Sequence, residues 1–195
     1  MKTIAFLTLD IPALPKADFP INVEFEGDKV IISSLKILNF IDTSKGLKLI
    51  DHTNKVQVYD IKSLSGNVLE VEKVAVFENR RKSIRLPFIG RYKGFFVSSI
   101  SDVPDVYKLR DIAFEAIAVN PIGEIPPAFP ENKEINGRLL FPIMGLKSPV
   151  LPFYLIRRAP DLVVFGFEGK TEFAKELMLN LTVELKHLLK TMEIT

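Results

Sequence analysis

The chain has 195 residues, 26 Lys and Arg against 24 Asp and Glu, and neither Cys nor Trp. A chain of this length buries about 70% of the surface its unfolded form exposes, so it needs no disulfide or metal to hold a core. The lack of Cys excludes disulfide frameworks, thiolate nucleophiles and cysteine zinc sites, and a net charge of +2 is small for a chain dedicated to binding nucleic acid.

Mean hydropathy is +0.19, high for a chain with 26% charged residues, which points to apolar surface covered by a partner or a second copy. No Cys or Trp, abundant Ile, Leu and Lys, and thirteen prolines fit a heat-adapted origin. The longest apolar runs, such as LVVFGF at 162 to 167, fall far short of the roughly 20 residues that span a bilayer. MKTIAFLTLDIPALP lacks a small-residue cleavage pattern and reads as a first strand, so a cytoplasmic protein is expected.

Residues 1–100 read as mostly antiparallel β. INVEFEG alternates at 21 to 27, and GlyAsp at 27 and 28 separates it from KVIISSLKILNFI, which suggests a hairpin. KVQVYDIKSL and NVLEVEKVAVFE form a second pair around SerGlyAsn at 65 to 67, residues that tolerate positive φ. Residues 101–195 are expected to add a helix, a Pro-rich loop, strands and a last helix, packed with the first part as one domain. SDVPDVYKLRDIAFEAIAVNP has Asp102 as a cap, Pro104 in the first turn and apolar residues at Val106, Leu109, Ala113, Ala116 and Ile117, the pattern of a mid-chain amphipathic helix. Seven prolines between 121 and 152 then predict a long loop with a short strand near RLLFPIM. VLPFYLIRR and DLVVFGF read as buried strands. KTEFAKELMLNLTVELKHLLKTM, with Thr171 as N-cap and a stripe of Phe173, Leu177, Leu181, Leu185, Leu188 and Met192, predicts a long C-terminal helix packed on the sheet. The fold class is therefore α+β: a curved antiparallel sheet, open barrel or roll, carrying two helices.

Motifs for catalysis are missing. His52 lies in a turn composition and His187 on the terminal helix, and no HExxH, EF-hand, G-x-S-x-G, GxGxxG or P-loop pattern occurs. Glu70 and Glu72 share a strand face, where water rather than a partner is the expected environment. A non-enzymatic protein with no cofactor and no metal site is expected.

The concentrated signal is RRKSIRLPFIGRYKGFF at 80 to 96. Arg80, Arg81, Lys82, Arg85, Arg91 and Lys93 are six of the 26 basic residues, leaving 20 basic against 24 acidic elsewhere. If 80 to 86 and 91 to 97 pair as a hairpin through ProPheIleGly, period two places Arg81, Ser83 and Arg85 on one face, with Arg91, Lys93 and Phe95 together on the second strand. Such a face suits phosphate or carboxylate. Two anionic partners fit: a nucleic acid stacking on Tyr92, Phe95 or Phe96, or an anionic membrane into which Phe88 and Ile89 insert. The alternative is a solvated face whose cations pair with Glu70, Glu72 and Glu78.

Arg80, Arg81 and Arg85 stand at the spacing RRxxxR, which resembles the opening of the PilZ-type nucleotide-binding pattern. The pattern's second half, [DN]xSxxG, does not follow; FVSSISDVP has serines at other spacing. Apolar residues off the terminal helix stripe, Met178, Val183, Leu189 and Ile194, suggest instead a homodimer or scaffold subunit. A cavity under that helix holding an apolar ligand is a third possibility.

Overall fold

Strand alternation with glycine at the turns sets the first fold unit. The computed structural model describes residues 2–9, 17–27, 29–32, 41–66, 68–80, 83–98, 105–122, 134–167 and 172–191. The chain divides into two compact units, Met1–Ile84 with Thr182–Thr195, and Arg85–Leu181.

In the first unit the strands are β1 (Lys2–Leu9), β2 (Ala17–Glu26), β3 (Lys29–Ile32), β4 (Leu47–Ile50), β5 (Lys55–Ser65) and β6 (Val68–Glu78). They close into an antiparallel barrel in the order β1-β2-β3-β6-β5-β4. Both hairpins expected here form, and Gly27 and Gly66 hold φ near +60° in their turns, where a Cβ is disfavoured. Phe19, Ile21, Val23, Val30, Leu47 and Leu69 alternate inward and are buried. Outside, opposite charges face each other across paired strands: Lys2 with Glu24 at 3.5 Å, Lys29 with Glu70 at 3.6 Å and Lys55 with Glu78 at 3.8 Å. The continuation of the second expected strand through residues 33–40 lies outside the described residues.

The second unit contains β7 (Leu86–Pro87), β8 (Phe95–Ser98), β9 (Asp105–Ala113), β10 (Ala116–Pro121), β11 (Glu134–Phe141), β12 (Leu146–Lys147), β13 (Leu151–Ala159) and β14 (Leu162–Phe167). Successive pairings run β8-β9-β10-β14-β13-β11 and return to β8, while β7 adds to β9 and β12 to β11. Its centre is aromatic: Phe96 lies 4.6 Å from Phe153 and 4.8 Å from Phe165, ring centroid to centroid.

The expected mid-chain helix is absent. Residues 105–121 are the β9–β10 hairpin, turned at Phe114 and Glu115. The ladder slips at Arg110, since Leu109 faces Val119 and Asp111 faces Ala118. One extra residue in a strand mixes period two with spacings of three and four, which imitates a helical stripe. The turn has no glycine to announce it, and neither Phe114 nor Glu115 needs positive φ. The fold is thus mostly β, with a single helix among the described residues, α1 (Glu172–Thr191). Ala174, Leu177, Leu181 and Leu185 are its buried stripe, and Phe173 and Leu188 are half-buried. Thr171, Met192 and Ile194 lie outside the described residues. No described helix is long and apolar enough to cross a membrane.

The β4–β5 turn is built on Asp51. Its Oδ1 accepts from the Thr53 amide at 2.8 Å, the Thr53 hydroxyl at 2.6 Å and the Lys55 amide at 3.1 Å, and Oδ2 accepts from Gln57 Nε2 at 2.9 Å. Desolvation pushes this carboxyl up, but the Thr53, Gln57 and Lys55 donors outweigh it and hold it at about 2, against 3.8 for a free side chain. A depressed carboxyl stabilises the fold above its unfolded pKa and loses that contribution as pH falls through the folded value. Asp51→Asn should therefore cost on the order of 1 kcal/mol at neutral pH, after allowing for solvent screening. Urea denaturation across pH should show the difference constant above about pH 4 and shrinking towards about pH 2.

Candidate anion-binding face

The segment at 80 to 96 does not form the expected hairpin. Leu86 and Pro87 pair with Ile112 and Asp111, and Phe95 to Ser98 pair with Lys108 to Asp105, so β7 and β8 lie in succession along one edge of β9. A 3-10 turn, Gly90–Tyr92, separates them. The cause is apolar burial: Phe88, Ile89, Tyr92 and Phe96 are all buried, Phe96 completely. Each such side chain is worth about 1.5–3 kcal/mol inside, which a solvated hairpin tip would forfeit. Phe88 and Tyr92 pack on Phe141 at 6.1 and 5.9 Å, and Phe96 fills the centre of the ring. The reading of Phe88, Tyr92 and Phe96 as stacking or inserting rings is corrected: these are core residues. Phe95 alone of the four is half-exposed.

Burying Gly94, Phe96 and Ser98 turns Lys93, Phe95 and Val97 outward. Directly across the sheet, Phe95 faces Lys108 on β9 and Leu140 on β11, and Leu140 faces Lys147 on β12. In the adjoining row Val97 faces Val106 and Arg138. Lys93, Lys108, Arg138 and Lys147 are exposed and surround Phe95, and no ion pair to another described residue is formed by any of them. Three strand spacings set Lys108 and Lys147 about 15 Å apart. Two aspartates of β9 turn away, while Glu134 stays exposed four positions before Arg138 on β11. Asp111 is buried with one oxygen 3.5 Å from Arg110 Nε, and Asp105 has a buried oxygen beside Tyr107, whose hydroxyl is pushed up by burial and by the Asp105 charge.

Of the six cations named from sequence, Arg80, Arg85, Arg91 and Lys93 are exposed, while Arg81 and Lys82 lie outside the described residues. Arg80 belongs to the first unit and Arg85, Arg91 and Lys93 to the second. Arg91 lies over the Tyr92 ring, 5.5 Å from its centroid. The cations that complete the face, Lys108, Arg138 and Lys147, were missed because each stands alone in its strand. Only the strand order brings them together.

Glu70, Glu72 and Glu78 have lysine partners within their own unit, Glu72 reaching Lys62 at 2.7 Å. Glu70 is held low first by the Ser63 hydroxyl and then by Lys29, and Glu72 by Lys62. Neither is raised, so the split pair that acid–base chemistry requires is not formed. His52 and His187 are both exposed.

No family model matches the chain. No curated protein matches it. Among solved structures it is similar to the K. pneumonia MrkH–c-di-GMP complex, at 10% identity and TM-score 0.44, covering 95% of this chain and 89% of that one. It is similar also to Escherichia coli YcgR in complex with c-di-GMP, at 10% identity and TM-score 0.39, covering 94% and 84%. A third is the Bacillus subtilis inhibitor of motility MotI/DgrA, at 8% identity and TM-score 0.41, covering 97% and 98%. Likeness at this level identifies neither a family nor a ligand.

The face depends on Gly94. A Cβ there would collide with the Leu140 carbonyl oxygen and approach Phe141 Cδ1 to 2.9 Å. Gly94→Ala should destabilise the protein by about 1–3 kcal/mol, the usual cost of overpacking a filled site. Thermal melts would record it, and Gly145→Ala, where a Cβ meets open space but a φ of +62° costs an alanine about 1–2 kcal/mol, shows what a backbone penalty without a collision amounts to.

Proposed function

We propose that the protein binds, without catalysis, an anionic nucleotide-type partner, a short single-stranded nucleic acid or a free nucleotide, on the outer face of β8, β9, β11 and β12. The observation behind this reading is the set Lys93, Lys108, Arg138 and Lys147 around half-exposed Phe95, with Asp105 and Asp111 of β9 turned inward. Cations spaced across a sheet engage phosphates, and a ring among them offers a base a stacking surface. Val97, Val106 and Leu140 supply apolar contact on either side. An anionic membrane fits less well, because Phe88 and Ile89, which would have inserted, are buried. Arg80, Arg81 and Lys82, in the first unit, remain a separate proposed anion contact, and Arg85 and Arg91 proposed contacts of the second.

The test is fluorescence anisotropy with a labelled twelve-residue oligothymidine, with c-di-GMP as a competing probe because two of the similar structures hold it. Four engaged cations give a slope of log K against log salt near −3, at roughly −0.7 per phosphate contact on a single strand. Lys108→Glu with Arg138→Glu should weaken binding at least tenfold, and Phe95→Ala by roughly five- to hundredfold if one base stacks there. Changing Arg80, Arg81, Lys82 and Arg85 together to Gln measures what the preceding segment adds. No binding of either probe at 50 mM salt, or binding indifferent to the charge reversals, rejects the proposal.

A further inference from the structure

A cavity of about 490 Å³ opens into the first barrel beside the β4–β5 turn. Phe25, Leu49 and Val71 line its apolar wall, Asp51, Gln57 and Tyr59 supply polar atoms, and Thr3 with the exposed His52 and Lys73 also border it. The size is that of a site for a small molecule, and an apolar wall with a few converging polar groups is the usual makeup of one. Phe25 and Tyr59 lie with centroids 6.3 Å apart and planes 30° from parallel, which gives the wall two neighbouring aromatic rings.

Asp51, Gln57 and Tyr59 form one chain of hydrogen bonds with a fixed direction. An ionised carboxylate can only accept, so Gln57 must turn its Nε2 to Asp51, at 2.9 Å. That leaves Gln57 Oε1 towards Tyr59, whose hydroxyl must then donate, at 2.7 Å. Asp51 stays ionised at any ordinary pH, its four donors outweighing its desolvation, and burial with the Asp51 charge keeps the Tyr59 proton in place. Tyr59 Oη, its proton committed, has only acceptor capacity left.

We infer that this cavity binds a small neutral molecule with a planar apolar body and one hydrogen-bond donor, the body lying along Phe25 and Tyr59 and the donor directed to Tyr59 Oη. A molecule presenting only acceptors meets lone pairs there and loses its hydrogen bond on leaving water, which disfavours it.

The probes that test this are 2-naphthol and 2-methoxynaphthalene, which share a body and differ in the donor, each titrated into the full chain by calorimetry with amide shifts followed by NMR. The expected result is one site per chain for 2-naphthol, with shifts concentrated at Thr3, Leu49 and Gln57, and at least tenfold weaker binding of the methyl ether. Tyr59→Phe keeps the ring and should bring the two probes to equal affinity, while Val71→Phe should fill the cavity and weaken both. If Val71→Phe fails to fold by circular dichroism, the shift pattern of the unsubstituted protein still locates the site. Equal binding of both probes to the unsubstituted protein, no binding of 2-naphthol at 1 mM, or shifts elsewhere would overturn the inference.

Discussion

The Phe96 ring decides which side chains of the second unit meet solvent. It is completely buried and packed within 5 Å of both Phe153 and Phe165 by ring centroid (4.6 and 4.8 Å), and that contact fixes the phase of β8. In a strand of period two, fixing one residue inward fixes its neighbours outward, and a slip of one position would exchange the faces. Lys93 and Phe95 are therefore exposed because Gly94 and Phe96 are not. The same registration carries across the sheet, since Phe95 lies between Lys108 and Leu140 and Val97 between Val106 and Arg138. The basic face is thus a consequence of core packing rather than of a run of charge along the chain.

This explains why the site was only half legible in the sequence. The clustering of cations at 80 to 96 was visible, and so was Lys93 beside Phe95. Their setting was not, because aromatic residues between basic ones read equally well as exposed rings or as a core strand, and only three-dimensional packing decides. Lys108, Arg138 and Lys147 come from three different strands, separated by up to 39 positions, and no local pattern links them. The first unit was read more fully. Its hairpins turn at Gly27 and Gly66, and its strands alternate cleanly. The β9–β10 hairpin was misread as a helix because a bulge at Arg110 disturbed the alternation and the turn at Phe114 and Glu115 lacked the usual residues.

The two units manage charge differently. In the first, lysines and glutamates face one another across paired strands, an arrangement that neutralises the surface locally and contributes modestly to stability. In the second, two aspartates that could have balanced the cations on β9 are directed inward, Asp105 towards the Tyr107 side of the core and Asp111 into burial beside Arg110. Turning a carboxylate away from solvent has a desolvation cost, and here its effect is to leave positive potential on the surface.

The first barrel closes through short ladders, β1 meeting β4 at two positions and β3 meeting β6 at three. An unpaired strand border is the template on which a foreign peptide zips itself into a sheet, the route to both peptide capture by backbone and amyloid growth. β6 pairs with β5 along its length but with β3 only at 68–70, so among the described residues 71–78 carry a ladder on one flank alone, while β7 and β12 span two residues each. Positions 71–78 are long enough for recruitment through main-chain amides, and the exposed Glu72, Lys73 and Glu78 are charges of the kind that blunt such a border.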